Sequence, residues 1–147
     1  MDERIHQLNT FFTLYADRFN HAINGESPDI EGTAKSFSDS FIAANPLGVR
    51  CGNNDENFRT ALSQGYEFYK TIGVTEMQII SLETTILDHF HEMTKIRWNC
   101  RYLKKDNSEG SIEFENFYFT QTKEKETKIF AYITGDEQAA LKENGLI

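Results

Sequence analysis

The densest group of side chains able to do chemistry in this chain is Asp88-His89-Phe90-His91-Glu92. Two histidines two apart on a strand point the same way, and with a carboxylate they could chelate a metal ion. The stretch lies between two strand-like segments, however, where polar residues collect at turns, and no third ligand follows at a recognisable spacing. It reads as a solvated hairpin turn, so no metal site is expected. His6 and His21 have no nucleophile near them in sequence, and Asp17 with His21, one helical turn apart, reads as a surface pair. Cys51 stands beside Arg50, but no catalytic-cysteine signature surrounds it, so an inert thiol is expected. Cys100 alternates with Trp98 and Tyr102 and reads as packing. Two cysteines at no metal spacing are expected to be free thiols in a reducing compartment. The sequence names no catalytic residue and implies no cofactor.

What remains are binding groups. Tyr15 falls on the apolar face of a helix-like segment. Its hydroxyl either donates to a ligand oxygen or finds a backbone partner in the core. Trp98, Tyr102, Asn116 and Tyr118 combine aromatic bodies with donors and acceptors, the mix a small-molecule cavity needs. They either line such a cavity or fill the interior.

The elements that must carry these groups follow from periodicity. Ile5, Leu8, Phe12, Tyr15, Phe19 and Ile23 recur at three- and four-residue steps, which predicts a long helix ended by Asn24-Gly25. A second helix is expected from about Ile30 to Ala44, with Phe37, Phe41 and Ile42 facing in, stopped by Asn45-Pro46. Leu47 to Asn54 reads as a loop. Asn53, Asn54 and Asp55 are N-cap candidates for a third helix running to about Ile72, with Phe58, Leu62, Tyr66 and Tyr69 on one face and Gly73 as its left-handed stop. Beyond Gly73 the period becomes two. Ile80, Leu82, Thr84 and Ile86 share one face of a first strand. Ile96, Trp98, Cys100 and Tyr102 share one face of the next, opposite Lys95, Arg97, Asn99 and Arg101. After a turn at Lys105 to Gly110, the third strand changes phase between Phe114 and Phe117, which predicts a bulge near Glu115-Asn116. A last strand from Lys128 to Thr134 precedes a short helix, Glu137 to Glu143, capped by Gly135-Asp136. Helices first and antiparallel hairpins afterwards make an α+β chain, in which one curved antiparallel sheet wraps the N-terminal helices.

With 147 residues and no visible linker or repeat, residues 1–147 read as one domain able to bury a core without disulfides. Twelve Phe and six Tyr suggest an aromatic core or an aromatic-lined cavity. A net charge of −8 without a Lys/Arg cluster argues against nucleic acid and against anionic membranes. No apolar run has membrane-spanning length, and MDERIHQLN lacks the apolar core of a signal peptide, so a cytoplasmic location is expected.

The order of LYADRFNHAING, FSDSFIAANPLG, YEFYKTIG, KIRWNCRY, GSIEFENFYFT and KIFAYITG, with the spacing of Gly73, Trp98 and Gly110, resembles the nuclear transport factor 2-like superfamily in its SnoaL-like branch. The resemblance covers nearly the whole chain. It implies a cone with an internal pocket and commonly a homodimer, in a superfamily of isomerases, cyclases, hydratases, hydrolases and members that only bind or scaffold. Against the ketosteroid isomerase branch, Tyr15 takes the place of the phenol donor, and the second donor falls near Glu115 or Asn116. The general-base aspartate before a proline becomes Asn45 of Asn45-Pro46. An amide has no useful basicity near neutral pH, so Asn45 is expected as a binding group. The expected function is a small-molecule-binding domain for an apolar or aromatic ligand. The alternatives are an isomerase, cyclase or hydratase with another base, or a dimerisation scaffold. If Ile129, Ala131 and Ile133 face inward, then Phe130 and Tyr132 face outward beside Phe117 and Phe119, and this sheet face is expected to form the homodimer.

Overall fold

The first helix, α1 (Asp2–Ile23), forms because its apolar stripe has the helical period, and that stripe is what it buries. Leu8 and Phe12 are fully enclosed and Ala16, Ala22 and Ile23 nearly so. Gly25 ends the helix at φ +89°, a conformation glycine adopts without a Cβ penalty. The computed structural model describes residues 2–147, and no helix among them is long and apolar enough to cross a membrane.

The second helix departs from expectation. It is only α2 (Ile30–Lys35), and the chain then continues as strands β1 (Phe37–Asn45) and β2 (Gly48–Asn53). Phe37 and Phe41 are buried in both readings, because a four-residue spacing suits a helix and a strand alike. Ser38, Asp39 and Ser40 are weak helix formers, and pairing β1 with β2 and β6 satisfies their backbone. Ile42 consequently faces away from the core. The segment expected as a loop is β2.

Helix α3 (Glu56–Ile72) starts where Asp55 Oδ1 accepts the Phe58 N–H at 3.0 Å and stops at Gly73, φ +96°. Strands β3 (Val74–Ile86), β4 (His91–Leu103), β5 (Glu109–Lys123) and β6 (Glu126–Ile133) follow, then helix α4 (Glu137–Glu143). The six strands form one curved sheet in the order β2-β1-β6-β5-β4-β3, antiparallel throughout except for the parallel pair β1–β6.

Bulges, not the residues at fault in the sequence pattern, set which side chains enter the cone. The β4–β5 ladder runs without interruption from His91↔Gln121 to Leu103↔Glu109, so there is no bulge at Glu115-Asn116. Ile112, Phe114, Asn116 and Tyr118 all face in, and Phe117 and Phe119 face out by simple alternation. In β3 the extra residue is Ile80: Ile79 pairs with Trp98 and Ser81 with Arg97. Ile80 is therefore exposed, while Ile79 joins Leu82 in the core. In β6 the pairs Phe119↔Ala131 and Thr120↔Ile129 leave Phe130 as the extra residue. That resets the parity, so Ile129 and Tyr132 both face inward and Ile133 faces out. Tyr132 packs on Phe37 and Phe41 instead of joining the outer patch.

The narrow end of the cone is closed by Leu8, Phe12, Ile96, Tyr118 and Ile129. Beside them lies a polar staple. Glu92, fully buried, accepts from Arg4 of α1 at 2.5 and 2.8 Å and from Thr120 and Thr122 of β5. A buried carboxylate is tolerated only when paired and hydrogen-bonded in this way.

Candidate functional site

Between α1, α3, the inner face of β3–β5 and α4 the cone stays open as a cavity of about 320 Å³. Alternation on β4 and β5 aims Trp98, Cys100, Ile112, Phe114, Asn116 and Tyr118 into it, and the α1 stripe adds Tyr15, Ala16 and Phe19. Thr134 to Glu137 and the inner side of α4 form the mouth. Asp136 caps α4 by accepting the Ala139 N–H at 3.0 Å, which seats Glu137 in the first turn. There Glu137 accepts a hydrogen bond from the Tyr69 hydroxyl of α3.

The polar atoms of the inner wall are few and incompletely used. Asn116 Nδ2 donates to the Tyr118 hydroxyl at 3.2 Å. Asn116 Oδ1 has no partner, and neither has the indole N–H of Trp98, a residue 3% exposed. The indole stands near the Tyr118 hydroxyl and favours its ionised form, but not in the geometry of a hydrogen bond. Leaving a buried donor unsatisfied costs about 1–3 kcal/mol. The Tyr15 hydroxyl also lacks a hydrogen bond among the described residues: burial and neighbouring phenols push its pKa up.

Burial governs the acid–base character of the wall. It pushes Tyr118 up to about 12 against the opposing effects of the Asn116 amide and the Trp98 indole. It raises Tyr69 further still, helped by the Glu137 carboxylate. Cys100 is pushed up to about 11, first by burial and then by Glu137. These groups are neutral near pH 7 and act as donors or apolar surface. None is a base or nucleophile. Asp136 and Glu137, at the mouth, are the only carboxylates among the lining residues, and no histidine is among them.

Of the residues expected to bind, Tyr15, Trp98, Asn116 and Tyr118 share this one cavity. Tyr102 does not. It has the inward parity of β4, but its hydroxyl lies over Gly110, where a Cβ would collide with it, and Lys104 Nζ stands 5.9 Å from its ring. Asn45 lies at the end of β1, where its side chain accepts the Leu47 N–H at 2.8 Å in the β1–β2 turn. Helix 2 being short moves that turn away from the cavity. The sequence reading missed Phe19, Tyr69 and the α4 mouth. The first two were visible on amphipathic stripes, but nothing local announces that α4 folds back over the cone.

The Asp88–Glu92 stretch is a turn in which Asp88 Oδ1 accepts the N–H of Phe90 and of His91. Alternation then separates the two potential ligands that follow: His91 faces out and Glu92 enters the staple. No group of three or more His, Cys, Asp or Glu able to hold a metal occurs among the described residues. His21 lies 3.6 Å from Glu26, not against Asp17.

Residues 2–137 match a protein family described as NTF2-like protein (DUF6841). No curated protein matches the chain. Among solved structures, an NTF2-like protein with a cystatin-like fold from Novosphingobium aromaticivorans superposes with a TM-score of 0.69 at 9% identity, over 99% of this chain and 89% of its own. An NTF-2 like protein of unknown function from Shewanella oneidensis gives 0.67 at 12% identity, over 90% and 99%. A ketosteroid isomerase-like protein from Erwinia carotovora atroseptica gives 0.62 at 13%, over 92% and 97%. At such identities the likeness is one of fold.

Proposed function

Because the chain belongs to the NTF2-like family, and a fold fixes no chemistry by itself, we propose that its cone binds a small molecule with an apolar or aromatic body and a hydrogen-bond acceptor. The observation that carries this reading is the Trp98 indole N–H. It is buried in the wall of an open cavity and without a partner. The nitrogen is closed off from the cavity as it stands, so a ligand oxygen reaches it through a small shift of the neighbouring rings; that contact would remove the penalty of the orphaned donor, while the rings bury the ligand's body. Catalysis would need a base, and the wall supplies only Asp136, which caps a helix, and Glu137, which holds Tyr69.

The chain has one tryptophan, so its fluorescence reports on this wall alone. A panel of aromatic ketones and alcohols should shift that emission saturably. Trp98→Phe keeps the ring and removes the donor. By calorimetry it should weaken the ketones by about tenfold, the size of one lost hydrogen bond, and leave a pure hydrocarbon unaffected. A panel that leaves the emission unchanged would count for a purely structural domain.

We propose also that two copies pair through the outer sheet face. Strand register places Ile42 and Ala44 of β1, Ala131 and Ile133 of β6, and Phe117 and Phe119 of β5 side by side there. Three strands at about 4.8 Å spacing, with two same-face positions about 7 Å apart on each, make a patch roughly 15 by 12 Å. That is the scale of the apolar centre of an interface burying about 800 Å² per partner. Toward β3 the same face turns polar, with Arg97 on Glu113, Arg101 near Glu76, and Lys95 between Glu83 and Glu115.

A further inference from the structure

The cavity is unusual in its charge as well as its rings. Its wall presents six of them, from Tyr15, Phe19, Tyr69, Trp98, Phe114 and Tyr118, yet no Lys, Arg or His. Both charged residues of the lining are carboxylates, Asp136 and Glu137. Each accepts one hydrogen bond, from the Ala139 N–H and the Tyr69 hydroxyl respectively, and neither enters an ion pair among the described residues. The faces of aromatic rings are themselves electronegative and attract cations. Negative charge at the mouth and ring faces within therefore act in the same direction, and the net charge of −8 adds to it at long range. An anionic ligand would meet no compensating group anywhere on the wall.

A second observation fixes the other end of the ligand. Trp98 is nine-tenths and more buried, and its N–H is without a partner. On β4 it stands two residues, about 7 Å along the strand, from Cys100; Trp98 packs with Leu8 and Phe12, and Cys100 with Phe19 and Tyr69, where the field of Glu137 reaches it. The inner end of the cavity thus holds a donor just behind its wall and the outer end a carboxylate.

We propose that the cavity is selective for a protonated amine: a compact aromatic or apolar body with a neutral hydrogen-bond acceptor directed at Trp98 and an ammonium at the mouth, between Glu137 and the ring of Tyr69. This rests on the binding reading above and narrows it to one charge class. The ammonium takes the unused carboxylate oxygen of Glu137, and Tyr69 continues to donate to the other.

The test uses three probes with one body and three charges: naphthylmethylamine, naphthylmethanol and naphthoate, titrated calorimetrically into the full chain near pH 7. The amine is expected to bind about tenfold more tightly than the alcohol, the size of one partly screened charge contact, and the naphthoate more weakly than either. Glu137→Gln keeps an acceptor for Tyr69 and removes the charge. It should bring the amine down to the affinity of the alcohol and leave the alcohol where it was. Raising the salt should weaken the amine alone. If all three bind with equal affinity, or the naphthoate binds best, the charge assignment is overturned while the binding reading stands. Equal losses of amine and alcohol in Glu137→Gln would also overturn it, since that pattern belongs to a displaced α4. Failure of all three to bind overturns the binding reading itself, and this inference with it.

Discussion

Tyr15, Tyr66, Tyr69, Tyr118 and Tyr132 are all held as neutral phenols, in each case chiefly by burial. This has a consequence for stability. For an acid whose value is raised on folding, the folded state keeps its proton more tightly than the unfolded chain does. Stability is therefore unaffected below the unfolded phenol value of about 10, and is lost as pH rises from there through the folded values. Tyr118, at about 12, would alone account for about 3 kcal/mol over that interval, and the other four act in the same direction. Urea midpoints should hold level from neutral pH to about pH 10 and fall steeply beyond it, with phenolate absorbance appearing together with unfolding. Phenolate absorbance growing in near pH 10 while the fold persists would show that water reaches these rings. The same neutrality makes the phenols of the wall donors near pH 7, the property on which the proposed binding rests.

Elements carry two features that residue types do not announce. One is the staple from Arg4 of α1 to Glu92 of β4, a pair 88 positions apart that ties the start of the chain to the sheet. The other is the β5–β6 hairpin. Its two-residue turn puts Glu124 at φ +50° and Lys125 at φ +68°, the left-handed pair that a type I′ turn requires and that Asn-Gly adopts most readily. Glu and Lys are strained there. The double change Glu124→Asn, Lys125→Gly is expected to stabilise the fold by about 1 kcal/mol, which for a chain of this size raises Tm by about 2–4 °C. Scanning calorimetry measures it, and an unchanged or lower Tm would mean that the present turn is relieved by contacts of its charged side chains. The hydrogen bond from Gln7 to the Lys125 carbonyl uses backbone and survives the change.

For the whole molecule the open question is where the outer sheet face goes. The strip around Phe117, Phe119 and Ile133 is continuous across three strands, whereas the β3–β4 side of the same face is laced by exposed ion pairs that contribute little each. Light scattering at micromolar concentration should therefore give twice the 17.0 kDa chain mass. Phe119→Glu, which sets a charge in the middle of the strip beside Ala131, should shift the mass toward one chain while the far-UV spectrum stays the same. A single-chain mass for the unaltered protein would end the proposal. An intact dimer in Phe119→Glu would move the contact to another face.

Periodicity alone determined most of the elements, because local patterns follow from which face each residue must bury. The α1 stripe, the caps of α3 within Asn53 to Asp55 and at Gly73, the alternation of β4 and the cap of α4 at Asp136 are all legible from residue types and spacing. The α+β class follows from their order. Where local pattern was degenerate, the tertiary structure decided. Phe37 and Phe41, four apart, fit a helix or a strand, and only pairing with β6 made them a strand. Bulges at Ile80 and Phe130 are fixed by cross-strand register, which no single strand encodes, and they turned Ile80 outward and Tyr132 inward. The cavity was half visible: Tyr15 lies on the α1 stripe and Trp98, Asn116 and Tyr118 face inward by strand parity, while Asn45 and Tyr102 were lost to a turn and to the slot over Gly110. The mouth was not visible at all. That Glu137 meets Tyr69 across 68 positions depends on how α4 folds back over the sheet, and that is a property of the closed cone rather than of either segment.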